Sequence, residues 1–201
     1  MKKSVLGFKG ILLSKYGVVL LGISLAMLTI LGCSTTPSFY IRQDIDFSYI
    51  KKVAVLPLEN LTSDRFAGEN VSQLVINELL ASGLCDVVVP GEALSMLDTL
   101  RLKSTQTLKE EHIKAIGNTL GVQAVIFGSV EKFGEVRMGN ISAPEVTITL
   151  IMAETDGGSI IWSVTCTRGG ASFWDRHFGT RADTLSETSI KVVREAVQTL
   201  M

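Results

Sequence analysis

The apolar residues of this chain change their spacing part-way along, and that change limits the folds open to it. Val53 to Leu58 is a continuous apolar run that contains a proline near its end, as a buried central strand requires. From Phe66 to Ser82, Ala67, Val71, Leu74, Val75 and Leu79 recur at helical spacing, with Gly83 at the stop position. A short strand is expected over Asp86–Pro90, then helices over Glu92–Leu102 and Thr107–Leu120, then a strand over Ala124–Val130. Beyond this point the period becomes two. Val146, Ile148, Leu150 and Met152 alternate with threonines, and so do Ile160, Trp162, Val164 and Cys166 with Ser163, Thr165 and Thr167. With Asp156-Gly157-Gly158 between them, these runs predict an antiparallel hairpin with one face buried, entered by a turn over Gly139–Pro144. A last helix runs from a capping box at Thr184-Leu185-Ser186-Glu187 to about Leu200, with Ile190, Val193, Val197 and Leu200 on one stripe. Strand, helix, strand, helices, strand is the order of crossover units. The expected fold is therefore α/β: a three-layer-like sandwich with about four helices and a mixed sheet of about five strands, a parallel βαβ part followed by an antiparallel hairpin.

The first 32 residues stand apart from this pattern. Lys2, Lys3, Lys9 and Lys15 precede an uncharged apolar run from Tyr16 to Gly32, and no acid occurs in the segment. A basic region followed by an apolar run of this length reads as an export signal. It is short for a permanent span, which takes about 20 apolar residues. Ile30-Leu31-Gly32-Cys33 resembles a bacterial lipobox, with Leu31 where a smaller residue is usual. Cys33 is then the lipidated residue and the link to membrane lipid. Ser34 is not the aspartate that retains such proteins at the inner membrane in enterobacteria-like sorting, so an outer-membrane anchor with the domain in the periplasm is expected. The expected organisation is a signal peptide over 1–32, the lipidated cysteine and a tether over 33–48, and the α/β domain over 49–201.

Charge follows from that division. The chain of 201 residues carries 19 basic and 20 acidic side chains and a mean hydropathy of +0.35. Losing four lysines and no acid leaves 15 against 20, a mature charge of −5. An acidic domain with no basic stripe is not expected to bind nucleic acid. No P-loop or GxGxxG occurs, so no cofactor is expected. Three cysteines without a CxxC pair, and only two histidines, imply no metal site of ordinary spacing.

Three segments carry a family resemblance. Lys52-Val53-Ala54-Val55-Leu56-Pro57-Leu58-Glu59-Asn60 resembles the first strand and turn of bacterial envelope lipoproteins related to CsgG. Gly121-Val122-Gln123-Ala124-Val125-Ile126-Phe127-Gly128-Ser129-Val130 is similar to the same family's glycine–strand–glycine-serine-valine segment. Glu145 to Trp162, with Ile161-Trp162-Ser163, resembles its closing hairpin. The superfamily includes the amino-terminal domain of TolB, FlgT, the synthase activator LpoB and the polysaccharide-export lipoprotein PelC. The segments between elements are too short for the membrane-inserted hairpins of a CsgG-type pore, so pore formation is not implied.

The remaining chemistry is sparse. Cys85 and Cys166 could pair in an export compartment, though Cys166 shares its face with Trp162 and reads as a core thiol. His112 belongs to a solvated helix face. Asp175 and His177 could form a base and its orienter, but there is no nucleophile elbow, and no catalysis is expected. The loop over 169–181 combines Trp174, Arg176 and Phe178 with glycines. This composition suits an interface. The reading is a non-enzymatic outer-membrane lipoprotein that scaffolds an envelope export apparatus, as a homo-oligomer that contacts other envelope proteins. The alternative is a tethered regulator that activates an envelope enzyme such as a peptidoglycan synthase. A tether of about 15 residues, at most roughly 50 Å when extended, is short for reaching an inner-membrane synthase.

Overall fold

The computed structural model describes residues 37–138, 141–169 and 183–201. Its sheet is built outward from β2 (Lys52–Val55), whose Val53 and Ala54 are fully buried on opposite faces, as a central parallel strand requires. In chain order the other strands are β1 (Ser38–Ile41), β3 (Glu59–Asn60), β4 (Asp86–Val87), β5 (Ala124–Met138), β6 (Ile141–Glu154) and β7 (Ile160–Gly169). Their order across the sheet is β1-β7-β6-β5-β2-β4, with β3 pairing β5 alongside β2. β5, β2 and β4 are mutually parallel, while β1, β7, β6 and β5 run antiparallel to their neighbours.

Four α-helices close the two faces: α1 (Ala67–Ser82), α2 (Pro90–Thr99), α3 (Glu110–Leu120) and α4 (Leu185–Gln198). Val71, Val75 and Leu79 of α1 and Val192, Val193, Ala196 and Val197 of α4 pack with Trp162, Ile148 and Leu150 in one core. Ala93, Met96 and Leu97 of α2 and Ile113 and Ile116 of α3 cover Ala54, Leu56, Val125 and Ala153 on the other face. Each of the larger aliphatic side chains contributes roughly 1.5–3 kcal/mol by leaving water. Helix, sheet, helix is the three-layer arrangement the periodicity predicts.

The caps follow the sequence closely. Gly83 and Gly121 end α1 and α3 with φ of +67° and +63°, the left-handed conformation that glycine adopts without penalty. Thr184 Oγ1 accepts from the Glu187 N–H at 3.2 Å, and Glu187 Oε2 accepts from the Thr184 N–H at 2.8 Å, so the capping box forms.

Several boundaries differ from expectation. The mixed sheet has seven strands among the described residues, not five. β1 lies inside the segment read as a tether, where four residues are too few to show a period; Ile41 packs against the first core. β3 lies inside the polar run after β2. β5 continues eight residues past Val130, through Glu131-Lys132-Phe133-Gly134-Glu135, because β6 supplies backbone partners that the charged sequence does not advertise. From Ile141 on, the expected turn is already strand. α2 starts at Pro90, whose fixed φ suits the first helical position. On α4, Ile190 is exposed, and Val192 and Ala196 take its place in the core.

Candidate functional site: the pole where β1 begins

β1 is antiparallel to β7, so its chain direction matches that of β6. β1 therefore begins on the side of the sheet where β5 and β6 have their shared ends and where β7 ends at Gly169. β7 leaves the sheet on this side, and α4, whose Glu195 pairs with Arg168 and whose C-cap Thr199 meets Trp162, runs back alongside it. An ideal Cβ at Gly169 would collide with the Pro144 carbonyl oxygen and lie 2.5 Å from Glu145 Cα, so only glycine lets β7 run this close to β6 before leaving the sheet. At the return, Lys191 Nζ donates to both Asp183 carboxylate oxygens at 2.7 and 2.6 Å. Arg168, beside the exit, pairs with Glu195 of α4 at 2.6 Å.

Cys33, Trp174, Arg176 and Phe178, together with Asp175 and His177, lie outside the described residues. What the structure places is the frame around them: the start of β1, the end of β7 and the shared ends of β5 and β6 lie at one pole. Composition and motif spacing gave no sign of this convergence, because it depends on strand order. Phe39 and Tyr40 on β1 are 55% and 53% exposed, an aromatic pair on the outer strand. At the other end of β1, Glu154 gathers Arg42 Nη1 at 3.1 Å, Ser159 Oγ at 3.0 Å and Tyr49 Oη at 3.3 Å, fixing the strand to the β6–β7 turn.

Among the described residues, the two cysteines and His112 take structural positions. Cys166 is buried in the first core, and burial, reinforced by Glu195, pushes its thiol up to about 11. Burial and then Asp86 raise the Cys85 thiol as well, so both are protonated at neutral pH. Both are free rather than paired. His112 Nδ1 accepts from the Lys109 N–H at 3.2 Å and caps α3, a local role in place of a purely solvated one. Among the described residues no group of His, Cys, Asp or Glu could hold a metal ion. A crevice of about 370 Å³ opens between α1 and α2 beyond the carboxyl end of β2, lined by Val55, Pro57, Ile76 and Leu94. Ser72 there already donates to the Gly68 carbonyl at 2.7 Å and accepts from the Leu58 N–H at 3.1 Å.

No helix among the described residues is long and apolar enough to cross a membrane. The fold is one that bacterial envelope lipoproteins carry. A PelC dodecamer structure from Paraburkholderia phytofirmans is similar over 83% of this chain and 98% of that one, at 22% identity and a TM-score of 0.59. Lipoprotein GNA1162 from Neisseria meningitidis is similar over 75% and 97%, at 14% identity and a TM-score of 0.55. The model of the peptidoglycan-synthase activator LpoB family matches residues 33–165, about two thirds of the sequence, and the chain belongs to that family. The LpoB carboxy-terminal domain from Salmonella enterica is 21% identical over 59% of this chain and 82% of that one, with a TM-score of 0.43. No curated protein sequence matches. The kinship thus narrows to LpoB within the wider resemblance; that to CsgG, TolB and FlgT stays with the quoted segments.

Proposed function

We propose that this protein is an outer-membrane lipoprotein, anchored through Cys33, whose periplasmic domain binds and activates a peptidoglycan synthase. The match to the LpoB family carries this reading, and it favours the regulator over the export scaffold. The match begins at Cys33 and runs through β1 to the middle of β7, so it covers the anchor residue and most of the sheet. The domain then works close to its membrane. Only residues 34–37 separate Cys33 from β1, a reach of roughly 18 Å to Ser38 when fully extended. A regulator so tightly held needs a partner that itself spans the distance from the inner membrane. Trp174, Arg176 and Phe178, in the segment between Gly169 and Asp183, are the proposed contact residues.

The test is glycan-chain polymerisation by a purified bifunctional synthase from the same cell, with and without the lipidated protein. A rise in rate that Trp174→Ala abolishes is expected. An unchanged rate, together with no recovery of a synthase by affinity capture, refutes the reading.

A second reading has its own support. The fold likeness spans nearly the whole of a PelC protomer whose structure is a dodecamer. Anchoring in two dimensions raises effective concentration, so modest interfaces could close a ring of this chain. Native mass spectrometry of the lipidated protein in lipid nanodiscs tests it: a species larger than a monomer is expected, and a monomer at every loading rejects self-assembly.

A further inference from the structure

The covalent leash is shorter than the sheet it holds. Ser38 pairs with Thr165 of β7, which pairs with Thr149 of β6. β6 begins eight residues earlier, at Ile141, which pairs with Met138, so the ends of β5 and β6 lie roughly 26 Å beyond the level of Ser38 at about 3.3 Å per residue. Cys33 precedes Ser38 by five residues and, fully extended toward the same pole, reaches at most about 18 Å. The strand ends therefore overshoot the anchor residue by roughly 8 Å along the sheet, even with the chain pulled straight.

Among the described residues this overshoot pairs with no third strand of the sheet. Among the described residues β7 reaches as far as Glu145, and residues 135–138 and 141–144 pair with each other, Ala143 being buried on one face. Four residues per strand are far short of the 9–11 that a membrane-spanning strand needs. They are suited to a shallow contact. Val136 and Arg137 are exposed, and no acidic residue occurs from Val136 to Pro144 in a chain that is otherwise acidic beyond residue 32. Glu135, the nearest acid, accepts a hydrogen bond from Ser142 Oγ at 2.6 Å, and Glu145 is paired with Lys132 at 2.9 Å.

The geometry points to a second, non-covalent membrane contact: the outer ends of β5 and β6, through Val136 and Arg137, dock into the headgroup region of the bilayer that holds Cys33. The inference rests on the lipid-anchor reading above. The occupant is a phospholipid surface, because the short leash holds this pole against the bilayer and the overshoot matches the roughly 5–10 Å depth of interfacial segments. Arg137 supplies a cation for anionic headgroups and Val136 an apolar side chain for the acyl boundary. The contact would set the domain with its strands standing on the membrane and its α2–α3 end facing the periplasm.

The experiment places an environment-sensitive fluorophore at Val136→Cys or, as control, at Asp156→Cys in the exposed turn at the opposite end of the sheet, both in a Cys85→Ala/Cys166→Ala background. The lipidated chain is bound to vesicles of phosphatidylethanolamine and phosphatidylglycerol that contain headgroup-region spin-labelled lipid. Quenching at position 136 at least twofold greater than at 156 is expected. Equal quenching on vesicles that co-float with the protein overturns this contact and leaves the anchor standing. A blue shift at 136 without lipid quenching also overturns it, and assigns the pole to a second copy or another protein. Wild-type protein that fails to co-float, or a Cys33→Ser variant that floats as well as wild type, refutes the anchor reading and the contact with it.

Discussion

Replacing Gly117 by alanine sets helix propensity against packing, and the structure decides which wins. Gly117 is buried in α3, where alanine would ordinarily gain about 0.8–1 kcal/mol. A Cβ there would overlap Thr155 Cβ and stand 2.7 Å from its Cγ2 and 2.8 Å from its Oγ1. Rotating the threonine relieves nothing, because the overlapping atom is its own Cβ. Nor can residue 155 retreat freely: its N–H donates to the Gln123 carbonyl at 2.9 Å and its Oγ1 to the Val122 carbonyl at 2.7 Å. The cost should lie at the upper end of the overpacking range, about 3 kcal/mol, for a net loss of about 2 kcal/mol. For a chain of this size that is a fall in Tm of roughly 4–8 °C. Thr155→Gly alone should lose about 2 kcal/mol, from one hydrogen bond and added backbone freedom. The double variant should be more stable than the sum of the singles by about 2 kcal/mol or more, since glycine at 155 makes room for alanine at 117. Urea unfolding of the mature chain in mild detergent, followed by circular dichroism, measures all four corners. Gly117→Ala at or above wild-type stability, or additive singles, would refute the argument.

Trp162 is 1% exposed and its Nε1–H donates to Thr199 Oγ1 at 2.9 Å, joining β7 to the end of α4, so Trp162→Phe should cost about 2 kcal/mol in the same assay. Thr184→Ala removes the acceptor for the Glu187 N–H and should cost about 1 kcal/mol, with early amide exchange in the first turn of α4. Cys166 ionises with more difficulty folded, at about 11, than unfolded, so the folded state binds the proton more tightly. Its effect on stability is flat below the ordinary thiol range and falls as pH climbs toward 11; Cys166→Ala should shallow that fall, and an unchanged slope would count against it. In native protein Cys85, half-buried, should react with iodoacetamide faster than buried Cys166, a comparison that peptide mapping reads directly.

How much was legible in advance depended on where each segment's partners lie. Helix stripes and glycine stops are local, so α1, α3 and the α4 capping box could be read from residues a few places apart. Alternation between Val146 and Met152 likewise marks a strand with one face buried. The outer part of β5 is different: Glu131-Lys132-Phe133-Gly134-Glu135 has the composition of a loop and becomes strand because β6 offers it a ladder. β1 has the composition of a tether for the same reason, as its four residues are ordered by β7, more than 120 positions later. The proposed site divides in the same way. Cys33 could be singled out from neighbouring residues alone, and so could the aromatic and arginine content of the loop that follows β7.

The sequence by itself determined the α/β class, the three layers, most of the helix ends, and an amino-terminal segment with the marks of export and lipidation. These are properties of periodicity, capping and short motifs, which act over a turn or two of chain. Only the tertiary structure decided that the start of β1, the end of β7 and the projecting ends of β5 and β6 share one pole. That convergence comes from strand order and register, which are set by contacts between residues far apart in sequence. The overhang of roughly 26 Å beyond Ser38 exists only once strands far apart in the sequence are laid in register.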